Sequence, residues 1–284
     1  MAIFSNQATL TYNGNTTNSN IAYGEILDVL AVSKTAVEDN YTPDSVITYA
    51  VTLRNTGSSS LTGVTLTDDL GAYDFGGTTV YPLTYEAGTA TLFVGGVLVA
   101  APTVDPGPPL VFSGITVPAG GDAVLVYQAV ANDFASPLEG GSIVNTVTAT
   151  AAGITTEATA SETVSVETAP QLTVSKSITP AQVVDNEQVT YTFIIENTGN
   201  RAVLATDDAA VSDTFDPVLT GLTVTFEGTV WTEGTQYNYD PATGILTTVP
   251  GQILVPAATY TQDPVTGAYT VSPGIATLTV TGTI

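Results

Sequence analysis

The sequence predicts an all-β protein made of two antiparallel β-sandwiches in tandem. Three observations carry that expectation: period-two alternation, closely spaced turn residues, and one module written twice. Runs such as Val46–Leu53, Val189–Ile195 and Ala276–Val280 alternate β-branched or aromatic residues with polar ones. That is the pattern of a strand with one face in a core and the other in water. Gly, Asn and Pro separate these runs at short intervals, as turns require, and no segment carries apolar residues at helical spacing. A chain of 284 residues is long enough for two domains, each with its own core.

The repeat is read from matched residues. Val32-Ser33-Lys34 corresponds to Val174-Ser175-Lys176, Tyr49 to Tyr191, and Asn55-Thr56-Gly57 to Asn197-Thr198-Gly199, all at a spacing of 142. After a three-residue insertion between Arg201 and Asp208, Thr67-Asp68 corresponds to Ser212-Asp213, and later Val117-Pro118-Ala119 corresponds to Val255-Pro256-Ala257. Fixed-order matches of this kind mark two copies of one structural unit.

Composition narrows the function. Acidic residues number 27 against 4 basic ones, giving a net charge of −23. Such a surface repels nucleic acid and anionic membranes, whose binding needs basic patches. There is no cysteine and no histidine, which excludes disulfides, thiolate chemistry and the commonest general base and metal ligand. Asp68-Asp69 and Asp207-Asp208 lack the alternating oxygen spacing of a calcium loop. The expectation is a protein that is not an enzyme and uses no cofactor and no metal. Neither a positively charged leader with an apolar core nor a membrane span is visible, so an outside location would be reached without a cleavable signal peptide.

The ordered motifs V-S-K, I-T-Y-x-V-x-x-x-N-T-G, V-x-x-T-D, V-P-A and V-N-T-V-T-A resemble the DUF11-type repeat of bacterial and archaeal surface proteins, over most of residues 30–284. The resemblance implies Ig-like sandwiches serving as structural modules on a cell or spore surface, without catalytic activity.

The two copies differ at their ends. The first closes with Ile143–Gly153 and a hairpin partner over Thr155–Val166, whereas Leu278–Ile284 of the second matches only Leu125–Val130, one strand earlier. The expected organisation is therefore a donor strand and flexible connector at 1–30, a first domain at 31–168, and a second at 169–284 that lacks its last strand. Asn6–Gly14 aligns with Asn145–Gly153 at a spacing of 139. It supplies a candidate donor strand (Asn6, Ala8, Leu10, Tyr12, Gly14) for an acceptor edge expected at Leu278, Val280 and Ile284. Donation between copies would build a head-to-tail homopolymer. Two alternatives stay open: a chance likeness among Thr-rich strands, and completion of the second module by the chain's own N-terminus. A further alternative function is an adhesin or glycan-binding stalk module, with Trp231, Tyr237 and Tyr239 as its platform.

The only lysines, Lys34 and Lys176, occupy equivalent positions, each with an Asp (Asp68, Asp213) and an Asn on the last strand (Asn145, and donated Asn6). Two sets follow: Lys34, Asp68, Asn145 and Lys176, Asp213, Asn6. They resemble the Lys–Asn–acid sets with which surface pilin domains form spontaneous isopeptide bonds. Burial lowers a lysine's pKa and raises that of a nearby Asp, giving a nucleophilic amine and an acid that can relay protons. The plainer reading leaves each amine in water or paired to its Asp, with the Asn residues at strand starts.

Overall fold

The computed structural model describes residues 2–26 and 28–284. Their regular structure is strand throughout, apart from one 3-10 turn at Ala205–Asp207, so the protein is all-β. The chain divides into two compact units. The first runs to Ser136 and adds Gly141–Ser165, and the second is Pro137–Gly140 with Val166–Ile284.

Residues 2–26 fold into a two-stranded ribbon. β1 (Ala2–Asn6) pairs with β4 (Ala22–Ile26), and β2 (Thr9–Tyr12) pairs with β3 (Asn15–Asn18). The strands reverse at Asn13-Gly14, where φ is 46° and 78°, the left-handed pair that suits the twist of a two-residue hairpin. Ser19 clamps Ala8, its N–H reaching the Ala8 carbonyl and its hydroxyl accepting from the Ala8 N–H. Phe4 lies against Gly24, where an added Cβ would meet the ring at 2.2 Å. Residues 15–30, expected as a flexible connector, are thus largely the return strands β3 and β4. Asn15 and Asn18 lie in β3, Gly24 lies in β4 and Ser19-Asn20 lie between them, while Leu27 of that range is outside the described residues.

In the first unit two sheets face each other. One has the order β13 (Val97–Val99), β12 (Thr91–Val94), β16 (Asp122–Ala131), β7 (Val46–Asn55), β5 (Leu30–Ala36), with β11 (Leu83–Tyr85) also on β16. The other runs β14 (Thr103–Asp105), β15 (Leu110–Val117), β8 (Leu61–Asp68), β17 (Ser142–Thr150), β18 (Ala158–Val166), β6 (Asn40–Tyr41). A short hairpin, β9 (Tyr73–Phe75) with β10 (Thr78–Val80), follows β8. Alternation assigns the core directly: Ile47, Tyr49, Val51 and Leu53 of β7 and Val147 and Ala149 of β17 are all essentially buried. The two layers meet through contacts such as Phe112 on Tyr127, with ring centroids 5.1 Å apart.

The second unit repeats one sheet and truncates the other. Its first sheet runs β19 (Leu172–Thr179), β20 (Gln188–Asn197), β28 (Gly274–Thr283), β22 (Thr220–Phe226), β23 (Thr229–Val230). The facing sheet is β21 (Ser212–Thr214), β25 (Ile245–Thr248), β24 (Tyr237–Asp240). A further hairpin, β26 (Thr259–Gln262) with β27 (Tyr269–Ser272), stands between β25 and β28 in the chain. Leu246, Leu278, Val280 and Val224 form the core between the layers.

This topology corrects the acceptor edge. Leu278, Val280 and Ile284 were expected to border the missing strand, yet β28 is central, paired with β20 on one side and β22 on the other. Leu278 and Val280 are fully buried. The reason is visible in the first unit, where the last hairpin adds to β8 in the opposite sheet and not to β16. The equivalent edge in the second unit belongs to β21.

The repeated Asn-Thr-Gly is a clamp. Asn55 is fully buried; its Nδ2 donates to the carbonyls of Ser59, Val117 and Pro118, and its Oδ1 accepts from the Gly57 N–H. Asn197 does the same for Arg201, Pro256, Gly199 and Gln171. Each side chain ties together backbone groups of neighbouring segments, and a buried group that its loss leaves unpaired costs about 1–3 kcal/mol. Asn55→Ala should therefore lower the unfolding free energy of the first unit by roughly 2–4 kcal/mol, read from the urea midpoint. An unchanged midpoint would show that the clamp is dispensable.

Candidate functional site: a buried lysine and its half-built copy

The site of the first unit is assembled from five strands of the two sheets. Along β5, the even-numbered residues Leu30, Val32, Lys34 and Ala36 point inward, which places Lys34 in the core. Opposite each other on β7 and β16, Tyr49 and Tyr127 stack at 5.6 Å, and the Lys34 Nζ lies 4.8 Å from the Tyr49 ring centre and 5.9 Å from that of Tyr127. Asp68 ends β8. Its Oδ2 accepts from the Lys34 Nζ at 2.5 Å and from the Tyr127 hydroxyl, and its Oδ1 accepts from the Leu70 N–H at 2.9 Å. Asn145, facing inward from β17, donates through Nδ2 to the Tyr127 hydroxyl at 3.4 Å. The structure thus brings Lys34, Asp68 and Asn145 into one buried cluster, with Tyr127 between acid and amide.

The electrostatics are unusual for a sandwich core. Both side chains of the Lys34–Asp68 pair are wholly shielded from solvent, and removing two charges from water costs several kcal/mol per ion unless geometry compensates. Burial pulls the Lys34 amine below its ordinary value, opposed by the attraction of Asp68. Burial likewise pushes the Tyr127 phenol well above its usual range, with the Asp68 charge adding to the effect. Among the described residues, the buried Asn145 Oδ1 has no hydrogen-bond donor, an expense that ordinary cores avoid, and the Tyr49 hydroxyl has only the Asn145 amide beside it. Chemically, the cluster holds an amine made less basic by burial, a carboxyl group touching it, and a carboxamide whose oxygen no donor holds.

The second unit contains the same beginning. Lys176 of β19 donates to the Asp213 Oδ2 of β21, and its Nζ lies 4.6 Å from the ring centre of Tyr191, 5.4 Å from Phe193 and 5.3 Å from Phe215. Here, however, the pair is partly open, with side-chain exposures of 38% for Lys176 and 17% for Asp213. The whole of β19 is exposed, including Leu172, Val174 and Ile178, whose counterparts Leu30, Val32 and Ala36 are covered or half-covered. The difference has one cause. In the first unit β17 and β18 extend the sheet beyond β8, and among the described residues no strand pairs with that edge of β21.

Asn6, the expected third member of the second set, lies in β1 opposite Ala22, in the other unit from Lys176 and Asp213. The candidate donor residues Asn6, Ala8, Leu10, Tyr12 and Gly14 are all exposed, Leu10 at 64% and Tyr12 at 73%. Tyr127 is the site residue that sequence reasoning missed. Tyr49 could be found through its match to Tyr191, but the place of Tyr127 is taken in the second copy by Val280, which pairs with Tyr191 as Tyr127 pairs with Tyr49.

The aromatic group around Trp231 does not form an open platform. Tyr237 is buried, Trp231 packs on Phe226 at 5.1 Å, and the Tyr239 hydroxyl donates to the Leu219 carbonyl.

No protein-family model and no curated protein sequence matches the chain. Among solved structures, it is similar to the major pilin subunit of Bacillus cereus (a D312A form), with 10% identity and a TM-score of 0.38, over 96% of this chain and 73% of that one. It is similar to the pilus backbone of Streptococcus pneumoniae at 13% identity and a TM-score of 0.35, covering 86% of this chain and 55% of that one. A family 123 glycoside hydrolase from Clostridium perfringens matches at 12% identity and a TM-score of 0.31, over 48% of this chain and 27% of that one.

A pH dependence follows from Lys34. Its folded pKa is depressed below the ordinary 10.5, so the unfolded chain holds the proton more tightly and stability rises as pH climbs from the folded value towards 10.5. In Asn145→Ala, which removes the carboxamide beside the amine, the urea midpoint should rise over that window and fall back as pH drops through the folded pKa. A flat profile would mean that the amine titrates normally.

Proposed function

We propose that this chain is a structural subunit that polymerises head to tail into a fibre on a cell or spore surface, the N-terminal ribbon of each copy completing the second unit of the next. The observation that carries this reading is complementary. The β21 edge and the inward face of β19 are uncovered where the first unit carries β17 and β18, and residues 2–26 form a two-stranded ribbon whose own apolar face is exposed. Phe4, Asn6, Ala8 and Leu10 align with Ile143, Asn145, Val147 and Ala149, four inward residues that are buried in the first unit.

Burying one Leu-sized or Phe-sized side chain is worth about 1.5–3 kcal/mol. Covering Leu172, Val174 and Ile178 with Phe4 and Leu10 therefore favours association and offsets part of its entropic cost, with the ladder hydrogen bonds adding to it. Donor and acceptor lie in different units, so the contact is heterologous and propagates. The ordered motifs, which resemble the DUF11-type repeat of surface proteins, agree with a structural role, as does a charge of −23 for a polymer that has to stay dispersed. No helix among the described residues is long and apolar enough to cross a membrane. On this reading the chain is not an enzyme and its partner is another copy of itself.

Within a subunit, Lys34 and Asn145 are read as the two ends of an isopeptide bond. Lys34 passes a proton to Asp68 and its neutral amine adds to the Asn145 Cγ. Asp68 gives that proton to Nδ2 and takes the second proton from the former amine nitrogen, and the Cγ–Nδ2 bond breaks to release ammonia, leaving Asp68 protonated. The products are one amide and one ammonia, without cofactor or oxidant.

Replacing Phe4 and Leu10 with Asp places charge on the donor face without touching either core. The double variant should remain a folded monomer with an unchanged melting temperature while the wild type forms filaments, visible by negative-stain electron microscopy and sedimentation. Filaments of equal length from both would refute donation by the ribbon. Separately, the intact mass of the wild-type monomer should fall short of the sequence mass by one ammonia, and Lys34→Met should restore it.

A further inference from the structure

We infer that the joint between subunits is itself sealed covalently, Asn6 of one copy condensing with Lys176 of the next, and that this bond closes only after docking. The inference rests on the head-to-tail reading above and adds a chemical step to it. Its support is the difference between two copies of one site within the same chain. Lys176 already donates to Asp213 and is ringed by Tyr191, Phe193 and Phe215, so amine, acid and apolar wall are in place. What the second unit lacks is the carboxamide and the strand that would bury the pair.

The first unit gives the register in which both would arrive. There Val147 of β17 stands opposite Asp68, and Ala149 opposite Leu66. At the spacing of 139 that aligns the ribbon with β17, Ala8 takes the place opposite Asp213. Asn6, two residues before it on the same face, then takes the place of Asn145. The same register sets Phe4 at the position of Ile143. The ribbon supplies the second strand as well: β4 returns along β1 as β18 returns along β17, so the incoming piece matches a hairpin that the fold has already accommodated once.

The chemistry balances as it does in the first unit. Lys176 gives a proton to Asp213 and the amine adds to the Asn6 Cγ. Asp213 gives that proton to Nδ2 and takes the second one from the former amine nitrogen, and the Cγ–Nδ2 bond breaks to release ammonia, leaving Asp213 protonated. The timing follows from exposure. The Lys34–Asp68 pair is wholly buried by the chain's own strands, whereas Lys176 and Asp213 remain in contact with water at 38% and 17%. The docking ribbon is therefore both the reactant and the means of excluding solvent from the pair. One element differs: the phenol that links Asp68 to Asn145 has Val280 as its counterpart. The joint therefore lacks that positioning donor and closes more slowly than the internal bond.

The test uses the full-length chain, concentrated to assembly, with electron microscopy, boiling in denaturant, gel electrophoresis and peptide mass mapping on the same samples. Wild-type fibres should leave a ladder of multimers, and a peptide containing Asn6 should be found joined to one containing Lys176 with the loss of one ammonia. Asn6→Ala and Lys176→Ala should each still form fibres, but these should boil to monomers that lack one ammonia from the Lys34–Asn145 bond. Wild-type fibres that boil wholly to monomers would overturn the covalent joint and leave head-to-tail assembly standing. Absence of fibres would remove both. A ladder that persists in Asn6→Ala would place the linkage elsewhere and equally overturn the assignment.

Discussion

A β-sandwich is stable only when each inward face has an opposing layer, and this requirement organises the whole chain. In the first unit the requirement is met by β17 and β18, which extend the second sheet past β8 and cover β5. In the second unit the facing sheet stops at β21, and β19 is left with Leu172 at 43% and Val174 at 62% exposure. An unpaired edge beside uncovered apolar side chains is a template for another strand. The surface that would be a liability in an isolated domain is, in the proposed assembly, the seat of the next subunit.

The two lysines show how strongly this coverage governs chemistry. Their local sequences are alike, both sit on a first strand, and both reach an Asp at the same position of the repeat. The neighbouring layer differs, and with it the side chains go from fully buried to partly wet. A buried ion pair is a weak source of stability, because desolvation offsets most of the attraction. Retaining one in a core otherwise built from Ile, Leu, Val and Tyr is more intelligible if the amine has a reaction to perform than if it is there to hold sheets together.

Much of this was legible in the sequence, for identifiable reasons. Alternation found β7, β20 and β28 because each buries one face only, and the fixed spacing from Lys34 to Lys176 revealed the repeat because both copies keep the same first sheet. Asn55 and Asn197 were recognisable as a motif, although their purpose emerged only with the carbonyls of Val117, Pro118 and Pro256 beside them. The acceptor edge was misplaced because a missing strand looks, in sequence, adjacent to the strand that precedes it. In the fold, the last hairpin crosses to the opposite sheet and meets β8, a long-range pairing that no local pattern encodes. Tyr127 escaped for a related reason: comparison between repeats highlights what the copies share, and its counterpart is Val280. Residues 15–30 were misjudged because Asn, Gly and Ser serve tight hairpins as readily as linkers.

The placement of the four basic residues has a consequence for how the protein meets its surroundings. Lys34 is sealed in a core, Lys176 is held by Asp213, and Arg201 grips Asp207 through two hydrogen bonds of 2.9 Å. Arg54 is locked in β7 between Ala31 and Asp122 of the flanking strands. Trypsin-like proteases need a basic residue on a chain segment loose enough to enter their cleft, and such segments concentrate at flexible tips and termini. Here each basic residue is held in a strand or by an ion pair, which leaves such proteases few loose segments to enter. Amine-directed reagents meet the same scarcity, and the molecule presents to them little besides carboxylates, amides and hydroxyls.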